Sequence, residues 1–344
     1  MDCKLMFFKL CVFICLFRYY GECIRWLSLQ HSNIKWNLSS LNENVVGSRG
    51  IRSGIRSPCG VARRRYGLAK LQTKLCRTSM EAMPFVQAAA ALAAETCKIV
   101  FQHRRWNCSS IDKAPYLTPD LTRATREQAY VYAVSAASLT YTMARACANG
   151  GLQHAVSAAS LTYTMARACA NGGLQHCTCA SPPKETPAEN FKWGGCGDNI
   201  RWGTNFAKRF VDTVEKYNTK ALERMARQIS GRRDNVAYDK KIMKLKSHIA
   251  SVNLHNNHVG RRIIIENLNT QCKCHGVSGS CSIKTCWRSM PPIVDIGHKL
   301  LEKFTIAKEV TKNYLNSDNK EIGTAMKRHT LKSDDLIFLT KSPD

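Results

Sequence analysis

Three features of this sequence predict a mainly α-helical domain, braced by disulfides and carrying short β-hairpins. Alanine-rich stretches repeat their apolar residues at helical spacing over 81–106 and again from about residue 121. The chain holds seventeen cysteines and opens with a segment built like a secretory signal, so disulfides are the expected state of the thiols. The third feature is the run Cys272-Lys-Cys274-His-Gly-Val-Ser278-Gly-Ser-Cys281. Its first two cysteines, two apart, share one face of a strand, and a small glycine-rich loop around Ser278 follows. At 344 residues and 44% hydrophobic content, the chain can bury a large core.

Taken in order, residues 1–22 read as the signal peptide. Lys4 and Lys9 punctuate the apolar runs Leu5–Phe8 and Leu10–Phe17, which are too short to span a bilayer. Small Gly21 precedes the expected cleavage point, and a signal anchor is the alternative. No other stretch is expected to cross a membrane. Residues 23–70, rich in Ser, Asn, Gly and Arg, are expected to be basic and of low order. A helical domain then occupies 71–312, with helices over Glu81–Trp106, from Leu121 through Ala133, over Phe206–Ile229, and over Lys241–Leu268 with basic residues on its outer face. Pro182–Pro187 reads as a loop and Trp193–Gly203 as a tight glycine-rich turn. Residues 293–312 are mixed and charged, and 313–344 are assigned to a linker.

One stretch is duplicated. AVSAASLTYTMARACANGGLQH occupies 133–154 and recurs unchanged at 155–176. As helix, 22 extra residues add roughly 33 Å. Solenoid repeats need three or more units with atypical ends, so perfect identity of two copies indicates a recent duplication or an error of sequence assembly instead. Cysteine parity agrees. If processing removes Cys3, Cys11, Cys15 and Cys23, thirteen of seventeen remain, and removing one copy, with Cys147, leaves an even twelve.

Lys and Arg number 51 against 25 Asp and Glu, a net charge of +26. Such an excess favours polyanions. Outside the cell these are sulfated glycans and anionic surfaces, and the compartment excludes nucleic acid. No single run makes a compact heparin motif.

Three chemistries compete for the 272–286 loop. Gly276-Val-Ser278-Gly279-Ser280 approaches the G-x-S-x-G nucleophile elbow but fails at its last position, and His275 has no acid partner in sight. Cys272, Cys274, His275 and Cys281 offer soft metal ligands, yet C-x-C is not the usual zinc spacing. Disulfides fit best. Pairing Cys274 with Cys281 closes a loop around Ser278, and pairing Cys272 with Cys286 encloses it. A regular ladder through the first pair sets residue 283 opposite 272, so a bulge or wider opening is required. Each bridge contributes about 2–4 kcal/mol, mostly by restricting the unfolded chain.

The run CKCHGVSGSC, continued by Ser282-Ile-Lys-Thr-Cys286-Trp287, resembles the signature of the Wnt family of secreted signalling proteins. Arg105-Trp106-Asn107-Cys108, Cys177-Thr-Cys179, Trp193-Gly-Gly-Cys196-Gly-Asp-Asn199 and His255-Asn-Asn-His-Val-Gly-Arg261 are similar to further family motifs, in order, over about residues 70–344. The ending Leu336-Ile-Phe-Leu-Thr-Lys-Ser-Pro343 resembles subfamily nine. The resemblance implies a helical-bundle N-terminal domain and a ligand with no catalytic residues, no metal and no cofactor beyond a monounsaturated fatty acyl ester on Ser278, with Ser280 as the competing hydroxyl. Residues His275, Gly276, Val277, Ser278 and Gly279 would form the receptor-contacting hairpin. Implied partners are the Frizzled cysteine-rich domain, an LRP-type co-receptor, the Porcupine acyltransferase, the Wntless carrier and heparan sulfate proteoglycans, in the extracellular space and matrix.

The implied disulfides are Cys97–Cys108, Cys169–Cys177, Cys179–Cys196, Cys272–Cys286 and Cys274–Cys281, with Cys59 and Cys76 left as a further pair and Cys147 without a family partner. Asn107-Cys-Ser109 matches a family glycosylation sequon, and Asn37-Leu-Ser39 is a second sequon outside the match. The family's C-terminal cysteine-rich domain is absent after Asp344, so an incomplete sequence is expected. A truncated decoy or glycan-binding protein is the runner-up, and a secreted serine hydrolase a distant third.

Overall fold

The computed structural model describes residues 24–36, 57–148, 179–187, 191–229, 236–310 and 331–341. Its α-helices are α1 (Pro58–Arg65), α2 (Lys70–Thr78), α3 (Met83–Phe101), α4 (Arg126–Ala148), α5 (Ile200–Ala207), α6 (Thr213–Ile229), α7 (Val236–Glu266) and α8 (Ile293–Thr305). A π-helical turn, Lys208–Asp212, joins α5 to α6. Strands β1 (Phe191–Trp193), β2 (Asn269–Cys274) and β3 (Lys284–Ser289) form one sheet in the order β1-β3-β2. Strands β4 (Lys308–Glu309) and β5 (Ile337–Phe338) pair in parallel.

α4 is the central helix. It packs against α3, α5, α7 and α8, and nearly every residue from Glu127 to Thr140 is buried. A helix enclosed on all sides needs no polar face, which is why its composition reads as Ala, Val, Ser and Tyr rather than as an amphipathic stripe. Small residues bring the neighbours close. Ala89, Ala90, Ala93 and Ala94 of α3 are buried with Ala133, Ala136 and Ala137 of α4. On the other side, a Cβ on Gly260 of α7 would fall on the Ala133 carbonyl, so only glycine permits that crossing. Phe101, Tyr130 and Phe304 lock α3, α4 and α8 edge-to-face at 4.6–6.2 Å.

Several polar side chains that α4 buries are bonded, although Ser138 Oγ finds no partner among the described residues. Tyr132 Oη donates to Glu215 Oε1 at 2.9 Å, and Gln128 Nε2 donates to Asn253 Oδ1 at 3.0 Å. Arg261 donates from both terminal nitrogens to Asp212, at 2.9 and 2.8 Å.

Several expectations are corrected. Residues 24–36 and 57–70 are ordered, because Trp26, Leu27 and Leu29 insert into the core and Trp26 meets Phe210 edge-on at 5.5 Å. Ser28 Oγ and Gln87 Nε2 then donate to the carbonyls of Tyr66 and Ser32, fixing the path. The first long helix ends at Phe101, not Trp106, and α4 begins at Arg126. α7 does not simply turn its basic residues outward, since Lys246 and Arg261 are buried. Residues 293–305, read as mixed and charged, are α8, whose Ile293, Ile296 and Leu300 reach the core. Met80–Phe101 is long and apolar enough to cross a membrane, but 56% of its apolar window is buried inside the domain. Residues 331–341, within the presumed linker, pack Leu336, Ile337 and Phe338 onto the domain.

Candidate functional site: a cross-linked hairpin tip

The hairpin leaves the end of α7 and returns to α8. Its register sets Cys272 opposite Cys286 and Cys274 opposite Lys284. The ladder continues one step, with His275 N donating to Ile283 O at 2.7 Å, and then jumps so that Gly276 N donates to Ser280 O at 2.8 Å. Cys281 and Ser282 are the residues left over, and the bulge they form lets Cys281 reach Cys274. Cys272 is bonded to Cys286.

The tip is one 3₁₀ turn, Val277–Gly279. Ser278 adopts the left-handed conformation (φ 55°), uncommon for a residue with a side chain, and Gly279 follows at φ 79°. The turn is held by Gly279 N to Gly276 O at 3.0 Å and Ser280 N to Val277 O at 3.1 Å. A Cβ on Gly276 would meet the Ser280 carbonyl at 2.6 Å, so the closure depends on that glycine. Val277 is 90% exposed. His275, Ser278 and Gly279 are exposed too, and Gly276 is half-buried.

The two candidate hydroxyls differ. Ser280 Oγ lies 3.1 Å from Ser282 Oγ in a mutual hydrogen bond, whereas Ser278 Oγ has no hydrogen bond among the described residues. No carboxylate orients His275 towards Ser278 among those residues, and a strand–turn–strand is not the strand–turn–helix of a nucleophile elbow. The four loop cysteines are consumed in disulfides and present no thiolate to a metal.

The base of the hairpin is buttressed by the turn at 193–199. β1 runs parallel to β3, with Trp193 beside Cys286. Gly194 N donates to Cys286 O at 3.0 Å. The Asp198 carboxylate, buried, accepts from Met290 N at 2.8 Å and Ser289 Oγ at 3.3 Å. The neighbouring Asn199 caps α5 through Trp202 N at 3.0 Å and donates its own N–H to Ala144 O at 3.2 Å. Arg288 lies over the Trp193 ring at 5.3 Å and donates to Thr270 and Glu185. The sequence motif Trp193–Asn199 was visible, but the roles of Asp198 and Asn199 in tying the hairpin to α4 were not. A buried acid beside a strand end is the signal that finds them.

The other cysteines fall as follows. Cys59 is bonded to Cys76, Cys97 to Cys108 and Cys179 to Cys196. Cys147, which had no partner by resemblance, is disulfide-bonded, to a residue outside the described ones. Cys169, Cys177 and Asn37 also lie outside the described residues. Asn107 is exposed, with its Oδ1 accepting from Ser109 N at 3.2 Å.

The tip is a cross-linked turn that holds Ser278 exposed, with no hydrogen bond to its hydroxyl among the described residues. The wnt family model matches residues 64–154 and 151–344, and the chain belongs to the Wnt family. It is therefore a disulfide-bonded signalling ligand of that family and not an enzyme. The break between the two matches falls at the duplicated segment. Protein Wnt-11b-1 of Xenopus tropicalis is 33% identical over 323 residues, covering 93% of this chain and 73% of the relative. Protein Wnt-11b of Xenopus laevis is 35% identical over 278 residues, covering 81% of this chain and 66% of the relative. These relatives carry the Wnt-11 name and give the subfamily-nine reading no support. Among solved structures, human WLS in complex with WNT8A is similar at 26% identity with a TM-score of 0.43, over 77% of this chain and 69% of that one.

Proposed function

We propose that this chain is a secreted ligand that carries a monounsaturated fatty acyl ester on Ser278 and docks it into the cysteine-rich domain of a Frizzled receptor. The observation that carries this reading is the contrast at the tip. Ser278 is exposed, has a left-handed backbone and makes no hydrogen bond among the described residues, while Ser280 is engaged with Ser282. A buried acyl chain gains about 0.8 kcal/mol per CH₂, so the lipid supplies much of the docking energy. Two disulfides across the hairpin lower the entropy lost when the lipid settles. Porcupine would attach the acyl group and Wntless would carry the product outward. An LRP-type co-receptor and heparan sulfate proteoglycans would complete the setting at the cell surface and in the matrix, and Asn107 would carry glycan.

Mass spectrometry of the secreted protein tests the reading. The peptide containing Ser278 is expected to carry a monounsaturated acyl adduct. Ser278→Ala should abolish carrier engagement and signalling, and Ser280→Ala should preserve both. A bare Ser278 in secreted protein that still binds receptor would overturn it.

A further inference from the structure

One side of the helical domain carries cations and no exposed acid among the described side chains. α2 exposes Lys70, Lys74 and Arg77, spaced four and three apart and so on one side of the helix, while Gln72, Thr73, Leu75 and Cys76 face inward. α6 exposes Lys216, Lys220 and Arg224 at successive fourth positions, and the π turn ahead of it exposes Lys208 and Arg209. α2 packs against both the π turn and α6, so the two stripes are neighbours. The Cys59–Cys76 bridge fastens α1, with its exposed Arg63–Arg65, to α2.

The acids of this region do not neutralise it. α1 and α2 contain none. Asp212 is buried against Arg261, and Glu215 is buried and bonded to Tyr132. The Glu223 side chain lies outside the described ones. None of the stripe cations forms an ion pair among the described residues. Clustering like charges without counter-ions costs free energy unless a polyanion supplies them.

We infer that this face, assembled from the distant segments 63–77 and 208–224, is the binding surface for a linear sulfated glycan and acts independently of the hairpin. The inference rests on the extracellular placement proposed above, and it puts the glycan on a defined part of the fold. A flexible polymer can follow stripes on two adjacent helices. A flat bilayer meets such curved ridges poorly, and among the described side chains Tyr217 is the one large apolar group that α6 exposes for insertion.

Heparin is the probe, with the full secreted chain. Lys216→Glu/Lys220→Glu and Lys74→Glu/Arg77→Glu are compared with Lys192→Glu/Lys273→Glu, an equal change of charge at exposed positions of the sheet. Each stripe variant should bind heparin at least tenfold more weakly at fixed salt. By analogy with other polyanions, its log–log salt slope should fall by roughly two. The sheet variant should change less than threefold. Lys→Gln versions serve if a charge reversal disturbs folding, read from the unfolding midpoint. Equal losses in stripe and sheet variants would mean that net charge alone acts and would overturn the inference. So would unchanged heparin binding by the stripe variants, or their losing phosphatidylserine vesicles while keeping heparin. Ser278→Ala, recovered from cell lysate and compared with parent protein from lysate, should elute from heparin like the parent, so the acyl reading and this one fail separately.

Discussion

Arg261 and Asp212 show how single side chains hold this domain. Their charged groups are only 5% and 6% exposed and meet through two parallel hydrogen bonds, with Asn257 Nδ2 adding a third at 3.3 Å. Such a pair gives little net stability over a well-packed apolar replacement, but removing one partner strands a charge. Arg261→Met is therefore expected to lower the unfolding free energy by about 3–5 kcal/mol, whereas Asp212→Leu/Arg261→Met should recover most of that loss. Urea titration of the three proteins checks this, and equal losses in the single and double variants would refute it. In the sequence, Arg261 stood inside a recognisable motif but its partner was hidden, 49 residues away on another helix. The bulge at Cys281 and Ser282 was legible for the opposite reason. Register arithmetic between the four cysteines rules out a regular ladder and leaves a bulge or a wider opening, and the structure shows the bulge.

At the scale of an element, α7 does more than line the core, because its motif His255–Arg261 latches the returning segment 331–341. Asn256 grips the backbone of Ile337 on both sides, donating to its carbonyl at 2.9 Å and accepting from its N–H at 3.1 Å. His255 Nε2 donates to Asp335 O at 2.8 Å. Lys308 and Lys303 secure Asp335 and Asp334, each at 2.7 Å. Burial holds the His255 imidazole below its ordinary 6.5, against the pull of Asp335 and Asp334. Burial, with Arg261, His255 and Arg262 nearby, does the same for His258. The folded chain thus prefers both rings neutral. Their contribution to stability is complete above about 6.5 and is lost as pH falls from there through the lowered folded values. Asp334, held below its ordinary 3.8 by Lys303, adds a separate loss only at much lower pH. The urea midpoint should therefore be lower at pH 5 than at pH 7.5. His255→Gln, which keeps a donor to Asp335, should narrow that difference, and an unchanged difference would sink the assignment. This latch escaped the sequence reading because Leu336–Leu339 is a short apolar run in a polar stretch. Such a run says nothing about what covers it until α7 supplies the polar grip.

Across the whole molecule, the duplication poses one question, namely how a fold with a single central slot accommodates two identical segments. The first copy fills the slot as the body of α4, fixed upstream by Gln128, Tyr130 and Tyr132 and alongside by Gly260 and Asn199. The seven residues ahead of the second copy, Ala148–His154, offer two glycines and none of those anchors, so they cannot replace Arg126–Tyr132. Within the first copy the chain already lies beside the segment that follows the second, since Cys179 Sγ is 3.9 Å from Ala148 O. The described chain thus leaves at Ala148 and resumes at Cys179 beside it. Excising one copy, which yields the same polypeptide whichever copy is removed, shortens this connection from thirty residues to eight. Loop closure then becomes cheaper by about 1 kcal/mol. The excised chain is expected to be secreted and to unfold at an equal or slightly higher urea concentration. Parity sharpens the test. If processing removes Cys23 together with the signal segment, thirteen cysteines leave at least one thiol, whereas twelve can all pair. Thiol titration of unreduced, denatured protein should accordingly find one free thiol per parent chain and none after excision. Loss of folding on excision, or a fully paired parent chain that is monomeric, would show that the second copy has a structural place after all.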